Sequence, residues 1–75
     1  MLYKRSSFIT FLKEKRDCDI IPLRDKSVIL LKNGVMTHYL GVDKFDTIDY
    51  EEIWIVCTNL LIVGLPGDSE LIRAE

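Results

Sequence analysis

The apolar residues near the start of the chain follow helical spacing. Phe8, Phe11 and Leu12 lie three and four positions apart and come directly after two serines, an arrangement that places them on one face of a helix. Serine is a favoured helix cap because its side-chain oxygen accepts a free backbone N–H of the first turn. The pattern therefore predicts a first helix over Ser7–Lys15, capped by one of the two serines.

The pattern then changes to short β-branched runs. Cys18–Leu23 contains Pro22, which cannot donate a ladder hydrogen bond, and this predicts an edge strand or an extended loop. Ser27–Lys32 and Val35–Val42 are separated by Asn33-Gly34 alone. An Asn-Gly pair between two such runs is a strong signal for a two-residue hairpin turn, because both residues tolerate positive φ.

A two-residue turn fixes which side chains share a face of the hairpin. One face would carry Val28, Leu30, Lys32, Val35, Thr37 and Tyr39. The other would carry Ser27, Ile29, Leu31, Met36, His38, Leu40 and Val42. The second face is the more apolar, so we expect the helices to pack on it and the first face to be left to solvent or to a partner.

A second helix is predicted from Asp49 onward. Asp49 can cap it, Glu52 completes a capping box, and Ile48 can contact Ile53 across the first turn. The β-branched content of residues 53–64 would also fit a hairpin with a turn at Thr58-Asn59. The capping signals favour the helix, and both alternatives stay open. Residues 66–75 are expected to form a short tail or a helical turn.

These elements predict one α+β domain spanning residues 1–75. Its core would be a three-stranded antiparallel sheet with two helices on one face, in the order α-β-β-β-α. With 48% hydrophobic residues in so short a chain, some apolar surface is expected to remain exposed and to serve as an interface. The helix side of that interface would include Ile55 and Ile62, which would share the polar side of the second helix.

Charge is divided unevenly along the chain. Residues 1–37 carry eight basic and four acidic side chains, and residues 38–75 carry two basic and eight acidic ones. This asymmetry favours association with a charge-complementary protein or with a second copy. It is not the concentrated basic excess that nucleic-acid binding requires. The apolar runs are too short or too interrupted for a signal peptide or a bilayer span, so we expect a cytoplasmic protein.

No residue pattern indicates catalysis, a metal or a cofactor. The single histidine, His38, is interpreted as a strand residue satisfied by a neighbour. Asp43, Asp46 and Asp49 lack the spacing and glycine of a calcium loop. Cys18 and Cys57 are 39 positions apart and without close partners. They are more consistent with two reduced, buried thiols than with a disulfide.

The segments from Lys4 to Leu61 together resemble the HicA family of small toxin ribonucleases, which has a double-stranded-RNA-binding-like fold. The resembling parts are a basic helix start, a second strand with its turn, a third strand and a closing helix, at Lys4–Phe8, Ser27–Gly34, Val35–Gly41 and from Asp49 onward. The resemblance implies the fold. Val28 stands where the family has its catalytic histidine, and acidic residues begin the closing helix, so the resemblance does not carry ribonuclease activity to this chain.

The sequence therefore predicts a non-catalytic protein-interaction module, a regulator or inhibitor that also forms a homodimer. A small accessory protein of a virus or mobile element fits the length. The expected partner-binding residues are Val28, Leu30, Lys32, Thr37, Tyr39, Ile55 and Ile62. The alternative is a vestigial HicA-like ribonuclease or RNA-binding domain that uses Lys4, Arg5, Lys13, Lys15 and Arg16.

Overall fold

The computed structural model describes residues 2–25, 27–39 and 47–74. The elements in chain order are β1 (Leu2–Lys4), α1 (Arg5–Lys15), β2 (Asp19–Pro22), β3 (Val28–Lys32), β4 (Val35–Tyr39), β5 (Thr47–Asp49) and α2 (Tyr50–Asn59). The α+β class, the three-stranded antiparallel sheet β2-β3-β4 and the two helices are as predicted. Two three-residue strands, β1 and β5, pair with each other and were not predicted.

The β3–β4 hairpin has the predicted register. Its five pairs join Val28 to Tyr39, Ile29 to His38, Leu30 to Thr37, Leu31 to Met36 and Lys32 to Val35. Asn33 and Gly34 have φ values of 50° and 80°, as a type I′ turn requires. Strand β2 lies at the sheet edge as predicted, with Pro22 as its last residue. The predictions for Leu40, Val42, Asp43 and Asp46 fall outside the described residues.

The helices pack on the opposite face of the sheet from the one predicted. Leu30 is fully buried, and Val28, Val35 and Ile20 pack against the same core. That core also holds Phe8, Phe11 and Leu12 of α1 and Ile53, Val56 and Cys57 of α2. On the other face, Met36 is 65% exposed. The face with Leu31 and Met36 is therefore the open one.

Lys32 explains why comparing the apolar side chains on the two faces of the hairpin predicted the wrong face for the helices. Its Nζ donates a hydrogen bond to the carbonyl oxygen of Arg16, directly beyond the last turn of α1. A lysine can bury its aliphatic stem while its charged end reaches a polar partner, and the negative end of a helix stabilises a cation. The inner face therefore accommodates Lys32, whose charge had argued against burial of this face.

Helix α1 begins at Arg5, two residues before its predicted start, and the predicted serine cap is absent. Lys4 is the N-cap residue and makes no capping hydrogen bond through its side chain. Ser7 instead lies inside the first turn and is buried. Its Oγ donates to the carbonyl oxygen of Lys4 at 2.7 Å and accepts the N–H of Ile72 at 3.0 Å. This hydroxyl therefore links α1 to the C-terminal segment.

The C-terminal segment lies alongside β1. Arg73 forms an antiparallel bridge with Tyr3, and the backbone N–H groups of Lys4 and Ala74 donate to the carbonyls of Ile72 and Leu2. Leu71 is 6% exposed and belongs to the core cluster. The tail is thus held on one edge of β1, with β5 on the other edge, after a turn at residues 68–70.

Residues 50–59 form a helix and not a hairpin. The Oδ1 atom of Asp49 accepts the N–H of Glu51 at 3.1 Å, which confirms the predicted cap. The helix ends where Ile62 N–H bonds to the Cys57 carbonyl at 2.9 Å and Leu61 N–H bonds to the Thr58 carbonyl at 3.1 Å. This pair of bonds is a Schellman motif, which usually has glycine at the position that Leu61 occupies here with φ of 59°.

Leu61→Gly is expected to give a more stable protein than Leu61→Ala, by about 1 kcal/mol in the free energy of unfolding. Both variants remove the leucine side chain, so the difference between them isolates the left-handed backbone, which glycine adopts without steric strain. Urea denaturation followed by circular dichroism measures the difference. Equal stabilities would show that residue 61 is not held at positive φ.

None of the helices in residues 2–25, 27–39 and 47–74 has both the length and the apolar character that crossing a lipid bilayer would require.

Candidate functional site

Within the described strands β2, β3 and β4, the open face of the sheet carries four aliphatic side chains: Ile21, Ile29, Leu31 and Met36. We call this set the outer platform. The strand register arranges it in two rows across the sheet, Asp19–Leu31–Met36 and Ile21–Ile29–His38. Met36 is 65% exposed and Ile21 46% exposed, while Ile29 and Leu31 on the central strand are half-buried. A polar residue, Asp19 or His38, occupies one end of each row.

The dimensions of the outer platform match one helix. Neighbouring strands lie about 4.8 Å apart, so the three strands span about 10 Å, which is close to the diameter of an α-helix with its side chains. A sheet face with this many aliphatic side chains is normally covered by another layer. The outer platform is therefore wide enough to bind the apolar face of one helix.

The structure places some of the seven residues predicted to bind a partner in the interior and others on the surface. Val28, Leu30, Lys32 and Thr37 lie on the inner face of the strands, which the helices cover, so the prediction of an open surface there is wrong; Leu30, which is fully buried, is the clearest case. The prediction for the side chain of Tyr39 falls outside the described residues. Ile55 is 46% exposed, as predicted, but Ile62 is only 8% exposed. Ile62 is buried because the helix ends before it and the chain turns back at Leu61.

A second apolar surface lies on α2 and just beyond its end. It consists of Trp54, Ile55, Leu61 and Val63, which are 53%, 46%, 73% and 97% exposed. We call this set the helix patch. Since Ile53, Val56 and Cys57 turn the other side of α2 into the core, the helix patch faces away from the sheet. The outer platform and the helix patch are therefore on opposite sides of the domain.

Sequence reasoning missed a hydrogen-bonded cluster formed by Asp25, Ser27 and His38. The Oγ of Ser27 donates to Oδ1 of Asp25 and lies 2.9 Å from Nε2 of His38. The Ser27 N–H also donates to the same carboxylate oxygen, at 3.1 Å. Ser27 is 1% exposed, whereas Asp25 and His38 are on the surface. The available signals were the Asp-x-Ser turn before β3 and the hairpin register, which puts His38 on the Ser27 face.

The donor directions in this cluster oppose activation of the serine. The hydroxyl and then the backbone N–H of Ser27 lower the pKa of Asp25, so the carboxylate is ionised and can only accept. Ser27 must therefore give its single proton to Asp25, which leaves Nε2 of His38 as the donor to Oγ. A nucleophilic serine needs its proton directed at the base. The cluster fastens the start of β3 to β4, and His38 has the neighbouring partner that the sequence predicted.

Both cysteines are free and buried, as predicted. Burial is the main cause that raises the pKa of Cys57 to about 11, with a smaller contribution from Cys18. Burial likewise raises the pKa of Cys18. A neutral, inaccessible thiol is a poor nucleophile and a poor metal ligand. Among the described residues, no group of three or more His, Cys, Asp or Glu side chains is positioned to hold a metal ion.

The raised thiol pKa of Cys57 predicts that the protein loses stability in alkaline solution. A thiol in the unfolded chain has a pKa of about 8.5, so the contribution of the neutral buried thiol is fully present below that pH. It is lost as the pH rises through the folded value of about 11. We expect the free energy of unfolding to fall between these two pH values, and to fall less steeply in Cys57→Ala. Equal slopes in both proteins would contradict a buried neutral thiol.

An open groove of about 610 Å³ runs between α1 and the C-terminal segment. Phe11, Leu71 and Ile72 contribute its apolar lining, and Glu14 and Glu70 contribute carboxylates. Glu70 already accepts the N–H of Gly67 at 3.1 Å, so this carboxylate is used within the chain. Because one of its two carboxylates is already bound within the chain, the groove is a weaker candidate for ligand binding than the two apolar surfaces.

Comparisons with models of protein families, with curated proteins and with solved structures found no match to this chain.

Proposed function

We propose that this protein is a non-catalytic interaction module that regulates or inhibits a partner protein by binding an amphipathic helix of that partner on the outer platform. The observation that carries the proposal is the pair of cross-strand rows, which present four aliphatic side chains on a surface as wide as one helix. Met36, the most exposed of the four, would enter the partner surface as a flexible apolar contact.

The polar residues at the ends of the two rows, Asp19 and His38, support the proposal because they border the apolar side chains. Asp19 lies beside Leu31 in one row, and His38 lies beyond Ile29 in the other, so the polar residues occupy diagonal corners. Protein interfaces typically combine an apolar centre with a polar border. The diagonal placement gives the partner helix one favoured direction, with a hydrogen-bond donor near Asp19 and a polar side chain near His38.

The placement of the basic residues supports the proposal of a protein ligand over RNA. Arg16, one of the basic residues suited to phosphate, directs Nε and Nη2 to the Gly64 carbonyl at 3.1 and 3.0 Å. Its guanidinium also lies 4.7 Å from the centre of the Phe11 ring. Lys13 and Lys15 are exposed in the last turn of α1, but the two rows of the outer platform contain no lysine or arginine. Phosphate binding needs several such charges on one surface.

A photo-crosslinking experiment tests the proposal. Benzoylphenylalanine is introduced at Met36, in the whole chain expressed in its native host, and the crosslinked peptides are identified by mass spectrometry. The expected product joins residue 36 to one amphipathic helical segment of a single protein. The matched control places the same group at Thr10, which is exposed on α1, and should not give that product.

Met36→Asp then measures how much the platform contributes. A carboxylate within the apolar interface should weaken binding to the identified segment by about 2 kcal/mol or more, without unfolding the protein, because Met36 is exposed. Thr10→Glu should leave the affinity unchanged. Crosslinks to RNA, or an affinity that Met36→Asp does not alter, would overturn the proposed function.

A further inference from the structure

We infer that the helix patch is the interface of a two-fold symmetric dimer, in which α2 of one copy packs antiparallel against α2 of the other. This interface goes beyond the proposed function and uses the other side of the domain. The exposed stripe of α2 contains Glu51, Ile55 and Thr58, at helical spacings of four and three, with Trp54 beside it. A two-fold axis through this stripe gives a closed, self-complementary contact.

The position of Thr58 fixes the proposed arrangement. Thr58 is exposed and lies midway between Ile55 and Leu61 in the sequence. A two-fold axis near Thr58 places Ile55 of one copy against Leu61 of the other, and the reverse contact follows by symmetry. Both residues are apolar and exposed in the single chain, Ile55 by 46% and Leu61 by 73%, and pairing them removes both from water.

The charges at the two ends of α2 are complementary in this arrangement. Glu51 lies in the first turn of the helix, about 10 Å before Thr58 along the axis. At the other end, Arg16 is held against Gly64 by two hydrogen bonds to its carbonyl. Within residues 2–25, 27–39 and 47–74, the hydrogen bonds of the Arg16 guanidinium go to carbonyl oxygens. The antiparallel arrangement directs the Glu51 end of each α2 towards the Arg16 guanidinium of the other copy, so that opposite charges face each other.

The backbone of Leu61 gives an independent reason to place a partner here. Leucine at positive φ is strained, and its side chain is 73% exposed. A glycine would relieve the backbone strain, and a polar residue would remove the apolar exposure. Strained residues that persist in a fold commonly belong to functional surfaces. In the dimer, this leucine fills the contact opposite Ile55.

Disulfide trapping tests the geometry directly. Thr58→Cys places a thiol next to the two-fold axis, so two copies should crosslink rapidly when diamide is added and run as a covalent dimer on a non-reducing gel. The native Cys18 and Cys57 are buried and should not compete. Thr10→Cys, an exposed control on α1, should crosslink at least about 10-fold more slowly, because it meets its copy only by random collision.

Solution mass measured by sedimentation completes the test. Ile55→Asp should weaken the dimer by about 100-fold or more, and Glu51→Arg by about 3- to 30-fold at low salt. Met36→Asp should leave the dimer intact while it weakens partner binding, so failure of the dimer and failure of the proposed function give different results. A monomeric wild-type protein at about 0.5 mM, equal crosslinking of the two cysteine variants, or a dimer unaffected by Ile55→Asp would each overturn the inference.

Discussion

Leu30→Ala is expected to lower the free energy of unfolding by about 3 to 4 kcal/mol. Leu30 is fully buried on the central strand and packs in the cluster that joins both helices to the sheet. Removing its side chain leaves a cavity that the surrounding residues fill only in part. A domain of this length has a total stability of about 4 to 11 kcal/mol, so this single change would remove a large share of it.

Met36→Ala is the matched control for Leu30→Ala, because Met36 lies on the neighbouring strand and on the opposite face of the sheet. Since Met36 is 65% exposed, its truncation should change the free energy of unfolding by about 0.5 kcal/mol or less. Chemical denaturation monitored by circular dichroism measures both variants. A larger loss for Met36→Ala than for Leu30→Ala would mean that the helices cover the other face.

Leu71→Ala is expected to lower the free energy of unfolding by about 2 to 4 kcal/mol. Leu71 is the residue through which the C-terminal segment enters the core, and it is 6% exposed. The segment is also held by Tyr3, whose hydroxyl donates to Asp68 at 3.0 Å, and by Ser7, which accepts the Ile72 N–H. Loss of the Leu71 side chain removes the apolar contact that keeps these groups aligned.

Ile72→Ala is the control for Leu71→Ala, since the neighbouring residue is 56% exposed and should change stability by about 0.5 kcal/mol or less. Amide hydrogen exchange gives a second readout, because the N–H groups of Lys4 and Ala74 bond across β1 and the tail. Both amides should exchange faster in Leu71→Ala. If Leu71→Ala and Ile72→Ala have equal stability and exchange, the tail does not contribute to the core.

The parts of the fold that depend on neighbouring residues were predictable from sequence. The turn at Asn33-Gly34 sets the register of β3 and β4 by itself, and the Asp49 side chain caps α2 through a residue two positions away. Each of these signals determines a local backbone conformation without contacts from distant parts of the chain. Strands β1 and β5 could not be predicted in the same way, because three residues are too few to show a period and their pairing is distant in sequence.

The candidate site was only half predictable, because it depends on which face of the sheet the helices cover. Alternation identifies two faces of a hairpin but does not rank them when both are apolar. The choice here follows from contacts across the chain: Lys32 reaches the carbonyl of Arg16, and Ile20 joins the core beside Leu30. The prediction that Ile62 is exposed was wrong for a related reason. Leucine rarely adopts positive φ, so the sequence contained no sign that the chain would turn back at Leu61.

The two apolar surfaces are compatible with one another. The outer platform lies on the far side of the sheet from the helices, and the helix patch lies on the far side of α2 from the core. A dimer formed through α2 would therefore leave both outer platforms accessible. Such a dimer would bind two copies of a partner helix, and a partner that is itself dimeric would gain affinity because its second contact becomes intramolecular.

The accessibility of methyl groups to a soluble paramagnetic probe tests most directly that the sheet opens on its Met36 face. In protein labelled with ¹³C at methionine, isoleucine and leucine methyls, added hydroxy-TEMPO should strongly broaden the signals of Met36 and Ile21. The methyls of Leu30 and Ile53, which are 0% exposed, should keep their line widths. Broadening of Leu30 together with protection of Met36 would contradict the assignment of the open face, and with it the proposed binding surface.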